Sequence, residues 1–286
     1  MSRKKPLFSN PDYQYSSLPA TRKEAFKDVY HNNFKTILSS GVMLMLFSIP
    51  LLVFLFVMDI GKFGMTPDRF SEEELRGVLL LWDLIVNGGA IILLYVVLIG
   101  LMGIMRVLKL LVWQEGIDFF HDFKVGVKEN FKHFSFLYLV FAILYVASYL
   151  VYIFLLNFLV GIWLMFIYVI VFVSMGIWGL FVINVYQCNF WNYLKNALFF
   201  YTKSFFLSIL FTLLSVFPFF FVFIPLSIIT FTIKYPVILV LLIFYYPFLI
   251  IVGYLFSFSK FDEFINKESY PEIYRKGLYE PNKEQN

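Results

Sequence analysis

The sequence predicts an all-α, polytopic membrane protein. About six transmembrane helices are expected as three hairpins, each preceded by a short cytoplasmic interfacial helix. Three observations carry this. Of 286 residues, 60% are hydrophobic and only 15% charged, with a mean hydropathy of +0.79. A soluble domain holds roughly 45–50% apolar and about 25% charged residues, and a fold of this size cannot hide the excess from water. Apolar runs of spanning length recur along the chain. A basic, aromatic segment recurs before every second run.

The runs fall at about 37–58, 79–105, 134–156, 159–186, 205–232 and 237–258. The first follows a polar, basic stretch too long for a signal-peptide n-region, so it reads as a retained helix. The third and fourth form one apolar tract from Phe134 to Tyr186, too long for a single crossing, with Asn157 and the nearby Gly161 as its hairpin turn. The fifth contains Pro218 and Pro225. It either crosses with a kink or ends early, leaving residues 217–236 as an irregular or re-entrant piece. The chain therefore divides into a cytoplasmic N-terminal segment (1–36), a six-span membrane domain (37–258) and a cytoplasmic tail (259–286).

Orientation follows from lysine and arginine in the connections. Residues 1–36, 106–133, 187–204 and the tail together hold nineteen, whereas the alternate connections hold four: Lys62, Arg69, Arg76 and Lys234. Both termini are thus expected in the cytoplasm, with the protein a multi-pass component of the cell membrane. The loop 59–78 is also acidic, with Asp59, Asp68, Glu72, Glu73 and Glu74.

Internal similarity joins the three hairpins. Ala-Phe-Lys27, Asp-Phe-Lys124 and Tyr-Leu-Lys195 are each followed eight residues on by a second lysine: Lys35, Lys132 and Lys203. The first two close on the same triplet, Asn33-Phe34-Lys35 and Asn130-Phe131-Lys132. Phe26, Tyr30 and Phe34 share one helical stripe, as do Phe123, Val127 and Phe131. Such a stripe can lie among headgroups while lysines reach anionic phosphates. Residues 22–35, 119–132 and 191–203 are accordingly expected as helices near the membrane plane. The partners this implies are membrane lipids with anionic headgroups at the cytoplasmic face, not nucleic acid.

No catalytic set is visible. The middles of the six runs carry no Asp, Glu, Lys, Arg or His, where an ion-coupled transporter keeps such groups. Asp83, Arg106 and Lys109 sit at run ends. The histidines, His31, His121 and His133, stand beside lysines, with no partner at metal-ligand spacing. Nucleotide loops, HExxH and GxSxG are missing. Glu115, Asp118, His121 and Asp122 form a small polar cluster. Asn87, Asn184 and Gln187 are the main amides in or near the runs, and read as bonds between helices. The single Cys188 reads as a spare thiol. The expectation is no catalytic, cofactor-binding or metal residue, no cofactor, and no enzymatic activity.

At 115–132 the chain carries Glu115-Gly116, His121-Asp122-Phe123 and Lys128-Glu129-Asn130-Phe131-Lys132. This stretch resembles a signature of the YesL-like bacterial membrane proteins, a family of unknown function. Leu46-Phe47-Ser48-Ile49-Pro50 and Tyr270 to Gly277 are similar to that family's first span and cytoplasmic end. One departure stands out. Leu51 to Met58 and a long acidic loop replace the small-residue, Thr-Ile-Gly stretch expected after Pro50. The resemblance implies no catalytic residues, and an association with carbohydrate uptake systems in the membrane.

The function expected is a non-enzymatic accessory or scaffold protein associated with a transport system. The alternative is a transporter or channel for a neutral or amphiphilic solute. A mid-membrane cavity bordered by Asn87, Asn184 or Tyr186 favours the second; a core filled with Phe and Leu disfavours it.

Overall fold

The computed structural model describes residues 18–63, 71–154, 158–219 and 228–279, and these are mostly helical, without any strand. The expected turn at Asn157, the loop around Phe70, Pro225 and the most N-terminal lysines lie outside the described residues.

Helix α1 (Arg22–Asn32) begins where Thr21 Oγ1 accepts the amide of Glu24, a side-chain acceptor meeting one of the first turn's free donors. Helix α2 (Phe34–Phe63) runs through Pro50. Helix α3 (Glu72–Val112) opens on a reciprocal capping box between Ser71 and Glu74. Its 41 residues give a rod of about 61 Å, twice the hydrocarbon thickness. Helix α4 (Phe119–Phe154) is followed by α5 (Phe158–Ile167), which passes through a π-helical turn (Tyr168–Val173) into α6 (Ser174–Val185). Next come α7 (Phe190–Lys203), α8 (Phe205–Val216) and a 3₁₀ turn (Phe217–Phe219). The chain resumes in α9 (Ile228–Val240), a π turn (Leu241–Tyr245) and α10 (Tyr246–Phe261), then a further π turn (Asp262–Asn266) and α11 (Lys267–Ser269).

Five of these helical rods are long and apolar enough to cross a membrane: α2, α3, α4, α5–α6 and α9–α10. The pair α7–α8, bent by 104°, makes a sixth if counted as one span. This is the expected all-α membrane architecture.

The recurring segment is visible in the packing. In lysine register, Ala25, Asp122 and Tyr193 are all buried, as are Val29, Gly126 and Ala197, and then Ser40, Leu137 and Ser208. The paired lysines are exposed in all three. One helical face thus turns inward at the same register three times. Two of the three segments are also separate helices. The backbone leaves the helical region at Asn33 (φ −120°, ψ 23°) and at Ser204 (φ −124°, ψ 35°), and α7 stands across α8.

The middle segment departs from the expectation. Residues 119–132 are the first turns of one unbroken α4 rather than an interfacial helix. Contacts hold this piece straight. Arg106 on α3 pairs with Glu129 and approaches Asp122 at 3.9 Å, and Asn130 Nδ2 donates to Asn184 Oδ1 on α6 at 3.2 Å. Phe123 is buried against Phe47 and the bare backbone of Gly103, not turned to lipid.

Where the surroundings are lipid, apolar burial gives little net gain and close backbone approach matters more. Pro247 has no amide, so the Ile243 carbonyl four residues earlier loses its helical donor. That oxygen lies against the α-carbon of Gly41, where any Cβ would overlap it. A π turn in one helix and a glycine in the other thereby bring α2 and α9–α10 together.

Candidate functional site

The two ends of the bundle differ. At one end α1, the α3–α4 connection and the tail converge. Arg22 donates to Asp262 Oδ2 at 2.7 Å and to the Lys276 carbonyl at 2.9 Å. Its burial lowers the guanidinium pKa, and the Asp262 partner opposes that. Lys276 pairs with Glu115 at 2.6 Å and sits 4.0 Å from the Trp113 ring centre. Gly277 takes φ +79°, the left-handed region that glycine enters freely, and its backbone touches the end of α3.

The polar cluster of the sequence belongs to this joint and does not gather into one concave site. Asp122 accepts the Asp118 amide, Asp118 accepts that of His121, and Glu115 is engaged by Lys276. His31 and His121 are exposed, while His133 lies with its ring edge-on to Tyr193, 5.0 Å between centres. Among the described residues no three His, Cys, Asp or Glu side chains converge at metal-binding distance. Of the quoted signature residues, Asp122, Phe123 and Asn130 are buried, whereas His121, Lys128 and Lys132 are exposed.

Lys109, which the sequence places at a run end, is buried. Its Nζ donates to the Asn184 carbonyl at 2.6 Å and lies 4.8 Å from the Trp113 ring centre. That carbonyl belongs to the last turn of α6, which lacks helical donors and carries the negative end of the dipole. Asn184 also accepts from Asn130, so it joins α3, α4 and α6 as a structural amide. Gln187 is exposed.

Above this joint the half of the bundle nearest the termini is solid. Met102, Ile104, Met105 and Leu108 on α3, Phe134 on α4, Phe200 on α7, and Tyr254 and Phe258 on α10 are all under 2% exposed.

The other half holds a cavity of about 400 Å³ between the spans. Leu51 and Leu55 of α2, Ala90 and Leu94 of α3, Phe141 and Ala142 of α4, and Ile238 of α9 supply apolar walls. The polar atoms on its wall are neutral: Ser48, Asn87, Tyr138, Tyr145, Tyr168 and Tyr246. Tyr145 donates to Asn87 Oδ1 at 2.6 Å, and Asn87 Nδ2 donates to the Asp83 carbonyl at 2.7 Å. Tyr138 reaches the Ile91 carbonyl, Tyr168 that of Phe141 at 3.1 Å, and Tyr246 that of Ser215 at 3.1 Å. Tyr168 opens one π turn and Leu242 lies in another, so two of the three π turns border the cavity. Such turns recur at functional sites because they re-aim side chains out of register.

Beyond the cavity stand two ion pairs, one to two turns further along their helices. Asp59, four residues past Leu55, accepts from Lys234, four before Ile238, at 2.6 Å and from Tyr235 at 2.7 Å. Lys62 pairs with Asp83, one turn before Asn87, at 3.4 Å. The Lys234 side chain is only 4% exposed, whereas Lys62 and Asp83 are each 48% exposed. The first pair ties α2 to α9 and the second ties α2 to α3.

The sequence singles out Asn87 but not the tyrosines Tyr138, Tyr145 and Tyr168. The signal available was their neutral hydroxyls inside charge-free runs. No family model, curated protein or solved structure matches the chain.

Proposed function

We propose that this membrane protein binds a neutral, largely apolar amphiphile in the cavity between its spans, without chemical conversion. The carrying observation is the cavity itself: about 400 Å³, charge-free, with Asn87 and tyrosine hydroxyls on an otherwise aliphatic wall. Pockets of this size and composition suit small molecules, the few polar groups fixing orientation. The solid packing towards the termini supports a binding role over an open channel. An accessory role beside a carbohydrate uptake system rests on the YesL-like resemblance alone. The lysine and arginine bias supports a cytoplasmic terminal end and, with it, a cavity in the outer half of the bilayer.

The test is photolabelling of the full chain in bilayers with a diazirine-bearing monoacylglycerol, followed by peptide mapping. Label should concentrate on peptides containing Asn87 and Tyr145 and fall at least tenfold in Ala90→Trp, which fills the cavity. Label spread evenly over lipid-facing helices, and unchanged in that variant, would remove the reading.

A further inference from the structure

A second concavity, of about 270 Å³, lies at the junction of α1 and α2 with the π turn and α10, apart from the central cavity. Tyr30, Phe34, Ile37 and Leu38 form one wall, and Ile243, Phe244 and Phe248 the other. Aromatic contacts shape it: Tyr30 meets Phe248 at 6.3 Å and Phe34 at 6.0 Å between ring centres, and Phe26 backs Phe248 at 5.5 Å. Even so, Tyr30, Phe34, Phe244 and Phe248 remain 39–52% exposed. The groove starts where the first apolar run begins, at Phe34 to Leu38, which is headgroup level by sequence.

Charge is arranged at that same end. Lys27 and Lys23 lie one and two turns before Tyr30 and His31 on α1, and Lys35 adjoins Phe34 at the start of α2. All three lysines and His31 are exposed, and among the described residues the three lysines make no ion pair. Arg22 and Lys276, by contrast, are paired and point into the protein joint. An apolar trough with unpaired cations at its headgroup end has the polarity of an acidic phospholipid: chain along the trough, phosphate at the lysines.

We infer that this groove is a specific binding site for one anionic phospholipid of the surrounding leaflet, with an acyl segment between Phe34 and Phe244 and its phosphate on Lys27 and Lys35. The bound lipid covers the seam between the N-terminal helix and the last span. Zwitterionic lipids fill the trough but gain less from the lysines, because their own ammonium offsets the phosphate.

Native mass spectrometry of the full chain, released from nanodiscs of equal phosphatidylglycerol and phosphatidylcholine, tests this. Wild type should retain phosphatidylglycerol in excess over the bulk ratio. Attraction per basic residue near a surface implies a loss of about fivefold in that preference for each lysine neutralised, hence about 25-fold for Lys27→Gln with Lys35→Gln. Total retained lipid should stay the same in that variant. Phe34→Ala with Phe248→Ala should lower retention of both lipids, and gel filtration with thermal melting confirms that each variant is folded. Phosphatidylglycerol retained at the bulk ratio by wild type overturns the inference. So does a preference unchanged in the folded double-glutamine variant.

Discussion

Replacing Asp59 with Asn leaves the Lys234 ammonium buried, and the structure gives the size of the effect. The Lys234 side chain is 4% exposed and its carboxylate partner lies 2.6 Å away, with Tyr235 donating to the same oxygen. Removing one member of such a pair costs about 3–5 kcal/mol, because the remaining charge has neither water nor counter-ion. Lys234→Met should cost less, about 1–2 kcal/mol, since Asp59 is 21% exposed and keeps the Tyr235 hydrogen bond. The double variant leaves no unpaired charge, so it should recover most of the Asp59→Asn loss. The coupling energy from the cycle is then about 3–5 kcal/mol, read by denaturant titration of the full chain in detergent micelles. The exposed pair Lys62–Asp83 serves as an internal comparison and should couple by less than about 1 kcal/mol. Additive effects at Asp59 and Lys234, with coupling below about 0.5 kcal/mol, would refute the view that this pair ties α2 to α9 beyond the cavity.

Gly41→Ala should destabilise by about 1–3 kcal/mol in the same titration, because its Cβ meets the Ile243 backbone oxygen; Gly88→Ala, with open space at that position, should be neutral or slightly stabilising. Arg22→Ala should free the tail from α1 and speed proteolysis near Tyr279, since Arg22 holds both Asp262 and the Lys276 carbonyl. Burial raises the Cys188 pKa, and Tyr270 only partly offsets it. The thiolate therefore forms at higher pH than in a free thiol, and maleimide labelling should be slow at neutrality and still rising at about pH 9; a plateau near pH 8 would contradict this. Reporter fusions after Gln114, after Asn196 and at the C-terminus should read cytoplasmic, and fusions after Phe70 and near Asn157 the opposite. A reversed sign at Gln114 would invalidate the assigned topology.

Composition and run length alone determined that this is an all-α membrane protein with about six spans. Those properties are sums over many residues and need no knowledge of contacts. The lysine spacing likewise disclosed a threefold unit, whose buried register at Ala25, Asp122 and Tyr193 reflects a helical period that any sequence displays. Only the tertiary structure decided what each unit does with that face. Asn33 and Ser204 break the backbone, whereas the Asn130 amide is held by Asn184, 54 positions away, and Arg106 braces Asp122 and Glu129, so α4 stays straight. Asn87 was legible as a notable amide, but its place on a cavity wall depends on Tyr145, Leu55 and Ile238 arriving from three other helices. The groove at Phe34 depends on Ile243, Phe244 and Phe248 arriving beside α1 and α2 from more than 200 positions away. Periodicity reports which face of a helix turns inward; which partner meets that face, and whether the meeting leaves a void, is set by long-range close packing that no local pattern encodes.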